Sequence, residues 1–373
     1  MAVDARVDAW ATLALKALPY RALFELLRAL GDPVAVLNAS RARLQSIVPK
    51  ATVDRLLGPI DSERYAATRA WLEAPEHELI AWDDADYPRA LLDIADAPPV
   101  LFHVGRRDLL NRPSVAIVGS RNATPQGIEN ARAFAAAIAE AGITVVSGLA
   151  VGIDAAAHAG ALAHDASTIA VVGTGLDRVY PARHRELARA IAARGALLSE
   201  YPPGTPPLKE NFPRRNRLLS GMVRGVLVVE ATLSSGSLIT ARLAGEQGRD
   251  VFAIPGSIHS PFSKGPHKLI REGAKLVETA QDVLAELGGV GAGTDADANT
   301  SANDGVREPK QAALLDAIAH DPVDIDTLMA RTQMPADEVQ AALTALELDG
   351  KIAPLPGGRW QRVDRAPISR TRA

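Results

Sequence analysis

The sequence predicts an α/β protein with a doubly wound, mostly parallel sheet at 113–287, between a helical N-terminal domain and a C-terminal winged helix. Two features of the chain predict the sheet. Short β-branched apolar runs recur at 115–118, 143–146, 168–172, 226–229 and 251–254. Alanine-rich helical stretches lie between them, among them 128–141 and 183–193. Continuous apolar strands are typical of a sheet buried on both faces, and strand–helix alternation favours parallel strands, so the domain is Rossmann-like.

Residues 1–82 form the predicted helical domain. Apolar residues recur there with helical spacing, at Leu13, Ala17, Phe24, Leu27 and Leu30. Gly31-Asp32-Pro33 ends that run, and proline and glycine separate the segments that follow, so we expect four or five short helices. Residues 83–112 are rich in proline and aspartate, and are predicted to be a connector that finishes with one strand at 100–105.

The C-terminal part of the chain predicts a linker and a small domain. Residues 288–309 are small and polar with almost nothing to bury, which favours a flexible linker. Helices are then expected at 311–320, 325–331 and 336–349, followed by hairpin strands at 352–353 and 358–363. This is the pattern of a winged helix at 310–364, and 365–373 is left as a tail.

Composition limits the classes of protein that fit. The chain of 373 residues contains no cysteine, no apolar run long enough for a membrane helix, and acidic residues ahead of its first apolar stretch. We therefore expect a cytoplasmic protein with no membrane contact. The net charge is −3, but residues 113–287 hold 18 Lys+Arg against 15 Asp+Glu, while 310–363 hold 5 against 8. The two parts are thus expected to have different partners.

Each of the five strands predicted between 113 and 287 is followed by a loop rich in glycine, serine or threonine. These loops lie at 119–122, 147–154, 173–177, 234–240 and 255–257. Glycine lets a backbone approach its ligand closely, and free amides at helix N-termini favour anions. One such loop alone is typical of a tight βα turn, whereas the full set at one sheet edge favours a phosphate-binding rim.

Familiar nucleotide and metal sites are not supported. Gly173-Thr174-Gly175 lacks the third glycine of a dinucleotide fingerprint, and no Walker-type loop is present, so no cofactor is expected. Asp154 and His158 are four residues apart on a predicted helix, where packing or hydrogen bonding is a better reading than metal binding or catalysis. Tyr180-Pro181 is interpreted as a turn.

A second segment carries cations around an aromatic residue. Residues 209–224 contain five cations and a single acid, Glu210. The cations are Lys209, Arg214, Arg215, Arg217 and Arg224. Such a run is usually the solvated start of a helix, and Phe212 could simply be buried. An aromatic face beside cations also suits an unstacked base and its phosphate. The segment looks too broken for a recognition helix in a duplex major groove, so single-stranded nucleic acid is favoured.

Taken in order, these motifs resemble the DprA (Smf) family of DNA-processing proteins. The resemblance spans about 180 residues, through Gly119-Ser120-Arg121, Ser147-Gly148-Leu149, Phe212-Pro213-Arg214-Arg215-Asn216-Arg217 and Ser235-Gly236-Ser237-Leu238. It implies a SAM-like N-terminal domain, no catalytic residue, and a homodimer that binds single-stranded DNA. It also implies that the protein loads RecA onto strands covered by single-strand-binding protein during natural transformation.

The resemblance also implies which residues hold the strand. We expect Arg121, Lys209, Arg215 and Arg217 at phosphates and Phe212 at a base, while Asn216 either contacts a phosphate or holds its loop. The full set of expected DNA-binding residues is Gly119, Ser120, Arg121, Ser147, Gly148, Lys209, Phe212, Arg214, Arg215, Asn216, Arg217, Gly236 and Ser237.

Two rival functions remain open at this point. One is a nucleotide-processing hydrolase on a Rossmann-like fold, although the loop at 234–240 lacks the Pro-Gly-Gly-x-Gly-Thr arrangement of the phosphoribohydrolases. The other is a transcription regulator that reads DNA with its winged helix. The third predicted helix there contains Asp337, Glu338, Glu347 and Asp349 but no arginine, so we expect it to meet a protein or a second protomer.

Overall fold

The computed structural model describes residues 4–288, 309–318 and 322–364. The N-terminal domain contains six helices within this range, against the four or five predicted. They are α1 (Ala5–Lys16), α2 (Tyr20–Leu30), α3 (Pro33–Asn38), α4 (Arg41–Gln45), α5 (Lys50–Leu57) and α6 (Ser62–Leu72). The break after α2 has a clear cause, since Gly31 takes a positive φ of 96° and the Asp32 side chain caps α3 by accepting from Ala35 N at 2.8 Å.

The large sheet has the predicted character. Its strands are β1 (His77–Ala81), β2 (Val100–Gly105), β3 (Ser114–Val118), β4 (Thr144–Ser147), β5 (Thr168–Val171), β6 (Ala196–Ser199), β7 (Gly225–Val228), β8 (Asp250–Ala253) and β9 (Lys275–Leu276). The spatial order is β1-β2-β6-β5-β4-β3-β7-β8-β9. Neighbours from β6 to β9 pair in parallel, whereas β1 with β2 and β2 with β6 are antiparallel. The mostly parallel α/β fold is therefore confirmed.

Three strands were not among the predicted runs, and each has a physical reason. β6 is short and has no β-branched residue, β1 begins with His77 and Glu78, and β9 has only two residues, both exposed. Because β1 pairs with β2 and β2 with β6, residues on both sides of the predicted boundary at 82 share one sheet. The domain boundaries drawn from the sequence stay a prediction.

Helices cover both faces of the sheet. They are α7 (Pro125–Glu140), α8 (Ile153–Ala161), α9 (Arg185–Arg194), α10 (Asn211–Gly221), α11 (Ser237–Glu246), α12 (Lys264–Arg271) and α13 (Ala280–Glu286). Alternation along β3 fixes which face is which: Ala116 and Val118 pack in the core beneath α10, α11 and α12, while Val115 and Ile117 pack beneath α7, α8 and α13.

The strand order reverses at β3, because β4 lies on one side of it and β7 on the other. In doubly wound sheets, ligands bind in the crevice beyond the carboxyl ends of the strands at such a reversal. The loops that follow β3 and β7 therefore flank the position where a binding site is expected, and the loop after β5 lies two strands away at the same edge.

The winged helix is confirmed as well. It contains α14 (Pro309–Ile318), α15 (Ile325–Thr332) and α16 (Ala336–Leu348), with a small sheet of β10 (Val323–Asp324), β11 (Ile352–Leu355) and β12 (Arg359–Arg362). Strand β10, which pairs with β12, was not predicted. The predicted tail and nearly all of the predicted linker lie outside the described residues. No helix in the described ranges is both long and apolar enough to cross a bilayer.

Candidate nucleic-acid interface

The loop after β3 presents Arg121 on a rigid support. A side chain at Gly119 would lie 2.6 Å from Ile153 Cγ1, so glycine is required for the close approach of the loop to α8. Ser120 is buried, its Oγ accepts from Asn122 N at 3.1 Å, and its carbonyl accepts from Ile153 N at 3.2 Å. Gly119 and Ser120 thus shape the loop, and Arg121 beyond them is exposed.

The start of α10 brings Phe212 to the same edge. Asn211 Nδ2 donates to Gly173 O at 3.0 Å, which ties the helix to the loop after β5. A side chain at Gly173 would lie 3.1 Å from a Phe212 ring carbon, so the glycine leaves room for this ring. Phe212 is half-buried, which lies between the two alternatives that the sequence left open.

Arg121 and Phe212, which the sequence predicted as separate DNA contacts, lie next to each other. The Arg121 Cζ lies 5.9 Å from the centroid of the Phe212 ring, within the range of a cation–π contact. Two further predicted cations, Lys209 and Arg214, are exposed near the same helix end. We call the exposed cations Arg121, Lys209 and Arg214, together with the half-buried Phe212, the α10 rim. This rim can offer cations to phosphates and a ring to a base.

Arg215 corrects the prediction, because its guanidinium points into the protein. The residue is 4% exposed, and Nη1 donates to Gly148 O at 2.9 Å and to Val171 O. Burial lowers the pKa of Arg215 to about 10, so it remains protonated at neutral pH. Arg215 joins the loops after β4 and β5 to α10, and we remove it from the expected phosphate contacts.

Arg217 corrects the prediction in the same way. It is 5% exposed, and it donates from Nε to Asp96 Oδ2 at 2.6 Å and from Nη2 to Glu200 Oε2 at 2.7 Å. Tyr20 of α2 donates its hydroxyl to the same Glu200 oxygen at 2.7 Å. Arg217 and Glu200 are buried, whereas Asp96 is exposed. The cluster joins α2 to α10, so Arg217 has a structural role.

The loop after β4 also lacks the backbone donors expected of it. The Ser147 hydroxyl donates to Ile117 O at 2.7 Å, and Gly148 N donates to Asp154 Oδ2 at 3.1 Å. Both residues are buried. Asp154 also accepts from Ala150 N at 3.3 Å, so this carboxylate takes the place that a phosphate would need.

The N-termini of α7 and α11 also lie near the rim, and they differ in whether a protein carboxylate already occupies the position of an anion. At α7, the Glu230 carboxylate accepts from Thr124 N at 2.9 Å and from Thr124 Oγ1 at 2.6 Å, so a protein anion already lies there. At α11, Gly236 is exposed, and within the described residues the buried Ser237 Oγ has no hydrogen-bond partner. Asn216 Nδ2 makes only a long contact of 3.5 Å with Gly236 O. The α11 start therefore stays a candidate phosphate site.

The segment that begins at 209 is less broken than the sequence suggested. Residues 211–221 form one helix, and Pro213 is tolerated because it stands in the first turn. Two of the three cations in this helix, Arg215 and Arg217, face inward, and the helix lies on the sheet core, so it cannot enter a major groove as a recognition helix.

His158 has the packing and hydrogen-bonding role that the sequence favoured. It is fully buried, and its Nδ1 lies 2.7 Å from Thr168 Oγ1, whose own proton goes to Val145 O. Nδ1 must therefore be the donor, since the threonine hydroxyl has no second proton to give. Burial lowers the pKa of His158 to about 3, so the imidazole is neutral under ordinary conditions.

Sequence reasoning missed one exposed aromatic residue at this edge. Tyr180, interpreted as part of a turn, is 48% exposed, and its ring centroid lies 5.5 Å from that of Phe212. A tyrosine in a loop that follows a strand carboxyl end was the available signal. Nothing in the local spacing showed that this ring would reach α10.

Fold and site together define a class: a doubly wound α/β protein with a cationic and aromatic rim at the strand carboxyl ends and an added winged helix. The family model described as DNA recombination-mediator protein A matches residues 78–288, and the one described as DprA winged helix domain matches residues 295–358. The chain belongs to the DprA family, as its motifs suggested.

Individual relatives agree with this assignment. Protein Smf of Escherichia coli is 44% identical over 300 residues, covering 79% of this chain and 80% of its own length. DNA processing protein DprA of Streptococcus pneumoniae is 53% identical over 204 residues, covering 55% and 72%. A crystal structure of the Streptococcus pneumoniae protein superposes with a TM-score of 0.67 at 40% identity, covering 77% of this chain and 99% of that one.

A second solved structure bears on the ligand. It concerns the single-stranded DNA binding mode of DNA processing protein A from Helicobacter pylori. That chain superposes with a TM-score of 0.52 at 32% identity, covering 56% of this chain and 95% of its own.

Proposed function

We propose that this member of the DprA family binds single-stranded DNA on the α10 rim. The observation that carries the proposal is the Arg121–Phe212 pair, an exposed cation 5.9 Å from a half-buried ring at the sheet's strand reversal. Single-strand sites combine cations that follow the backbone with rings on which bases stack. The relationship to the Helicobacter pylori protein, described by its single-stranded DNA binding, supports the same ligand.

The contact set is smaller than the sequence suggested. Phosphate contacts are assigned to Arg121, Lys209 and Arg214, with the open start of α11 at Gly236 and Ser237 as an uncharged donor site. Phe212 takes a base. Gly119 and Ser120 act by shaping the Arg121 loop, and Asn216 lies between the rim and Gly236, where it can serve either role.

Titration of labelled oligo-dT and of duplex DNA across a salt series tests this proposal. Three exposed cations on a single strand predict a slope of log K against log salt of roughly −2, from about −0.7 for each neutralised phosphate. Oligo-dT should bind more tightly than duplex at every salt concentration. A preference for duplex, or binding that is independent of salt, would contradict the proposal.

We further propose that the bound strand is passed to RecA. In this reading the protein is a cytoplasmic homodimer without enzymatic activity, and it assists RecA assembly on DNA covered by single-strand-binding protein, as in natural transformation. The assay is RecA filament formation on such covered strands with and without this protein. Stimulation by the wild type but not by an Arg121→Gln variant is expected, and equal stimulation by both would contradict the link between the rim and loading.

A further inference from the structure

Tyr180 is an exposed aromatic residue that the phosphate and base contacts above leave unused. Its ring lies 5.5 Å from Phe212, centroid to centroid, and the two ring planes are inclined by 40°. Phe212 in turn contacts Arg121. The three side chains form a continuous surface that starts in the loop after β3, crosses the start of α10, and ends in the loop after β5.

The turn that carries Tyr180 is held in place from several sides. Asp177 Oδ1 accepts from Gly204 N at 2.9 Å, and Gly175 N donates to Thr205 O at 3.1 Å. Pro181 O accepts from His184 N at 3.0 Å, at the approach to α9. A tyrosine has few rotatable bonds, so a ring on a fixed turn loses little conformational entropy when a ligand packs on it.

The inclination of the two rings limits how one strand can use them. A planar base that lies flat on Phe212 cannot also lie flat on a ring inclined by 40° to it. Two bases, each flat on its own ring, would be inclined to one another by a similar angle. Those bases could not remain stacked on each other.

We propose that Tyr180 is a second base-stacking residue, and that it and Phe212 hold two separate, mutually unstacked bases of the same strand. This deepens the proposed function and rests on it. The site then selects strands that can be bent between neighbouring nucleotides, which a single strand allows and a duplex resists.

The test compares an oligo-dT strand with a strand of the same length built entirely from abasic residues. Anisotropy titrations use the wild type, Tyr180→Leu, Phe212→Leu and the double variant. Tyr180→Phe serves as the conservative replacement. Leu348→Ala serves as the control, because that side chain is 84% exposed on α16 of the winged helix.

Tyr180→Leu should weaken oligo-dT binding by roughly 5- to 150-fold, the range expected for loss of one stacked base. The same variant should bind the abasic strand as the wild type does, which also shows that it is folded. Tyr180→Phe and Leu348→Ala should match the wild type on both strands. In the double variant the loss of affinity should exceed that of either single variant, because separate bases are lost.

Three results would overturn the inference while the proposed function stands. The first is a Tyr180→Leu variant that binds oligo-dT as tightly as the wild type. The second is a Tyr180→Leu variant that loses as much affinity for the abasic strand as for oligo-dT. The third is a double variant that binds oligo-dT no more weakly than the single variant with the lower affinity. The last of these would mean that one base is shared by both rings. A wild type that fails to bind oligo-dT would instead overturn the proposed function, and the inference with it.

Discussion

Four arginines near the rim meet very different surroundings. Arg121 and Arg214 are exposed, Arg215 lies among backbone carbonyls, and Arg217 lies between two carboxylates. A guanidinium whose donors are already taken inside the protein cannot neutralise a phosphate without breaking those contacts. Burial therefore decides which of these cations can serve DNA, and residue type alone does not.

Replacing Arg121 should weaken single-strand binding in a salt-dependent way. Arg121→Gln removes one cation from the rim, so the slope of log K against log salt should become shallower by about 0.7. Arg189→Gln is the matched control, because Arg189 is exposed on α9 with a side chain 73% accessible. Titration with oligo-dT at several salt concentrations measures both, and an unchanged slope in Arg121→Gln would remove this residue from the interface.

Replacing Arg217 should instead destabilise the fold. Arg217→Met removes the nearer guanidinium partner of the fully buried Glu200 carboxylate and leaves only Arg214 Nε at 3.9 Å, which costs about 3 kcal/mol of unfolding free energy. Arg189→Met, on α9 with a side chain 73% accessible, should change stability by less than about 0.5 kcal/mol.

Urea unfolding of the two variants measures these costs. Unchanged stability in Arg217→Met, together with a shallower salt slope for oligo-dT, would return Arg217 to the phosphate contacts and contradict the assignment made here.

Burial of His158 predicts a dependence of stability on pH. Because folding lowers the pKa of this imidazole from its ordinary 6.5 to about 3, the unfolded chain binds the extra proton more readily in that window. The contribution of His158 to stability is thus complete above about pH 6.5 and is lost as the pH falls toward 3.

Urea midpoints measured between pH 7 and pH 4 check this dependence. His158→Gln should show a smaller fall in stability over that interval than the wild type, while His259→Gln, at an exposed position, should follow the wild type. Equal pH dependence in all three proteins would contradict the assignment of a neutral, buried imidazole.

Among the elements, α10 shows how far the sequence could be taken. Arg215, Leu218, Leu219 and Met222 recur at helical spacing and are all buried. That spacing is present in the sequence and is enough to place Arg215 on the inner face of a helix. The Glu200 and Asp96 partners of Arg217 are distant along the chain, so no local pattern could have identified them.

The strands show the same division between local and long-range information. Runs of β-branched apolar residues predicted β3, β4, β5, β7 and β8, because parallel strands that are buried on both faces are typically composed of such residues. β1, β6 and β9 depend on pairing with strands already in place, and their own residues carry little β propensity. The sequence predicted Arg121 and Phe212 as separate DNA-binding residues. Their contact with each other, like that of Tyr180 with Phe212, depends on the three-dimensional arrangement of segments that are distant along the chain.

At the scale of the whole molecule, the winged helix and the α10 rim differ in charge: the rim is cationic, whereas the third helix of the winged helix is acidic. The third helix has Asp337 and Glu338 in the first turn, and Glu338 pairs with Lys310 at 2.8 Å. The winged helix also contacts the sheet domain at its C-terminal end. Gln126 of α7 accepts from Asp364 N at 2.9 Å and donates to Asp364 O at 3.1 Å. We infer that this module meets a protein or a second protomer.

Removing residues 310–373 tests that inference. Most single-strand affinity should remain, because the rim cations and Phe212 all lie in the sheet domain. The quantity to compare is the oligo-dT dissociation constant of the shortened and full-length chains at one salt concentration. Loss of most of the affinity would show that the winged helix takes part in DNA binding.

The most direct test of the rim is photocrosslinking with an oligo-dT strand that carries 5-iodouracil. After trypsin digestion, mass spectrometry should find the label on the peptide 210–214, which contains Phe212, and unlabelled oligo-dT should compete it away. The label should decrease in the Arg121→Gln variant under the same conditions. Labelling confined to residues 310–364, or to peptides away from Phe212, would contradict the proposal that the strand lies on the α10 rim.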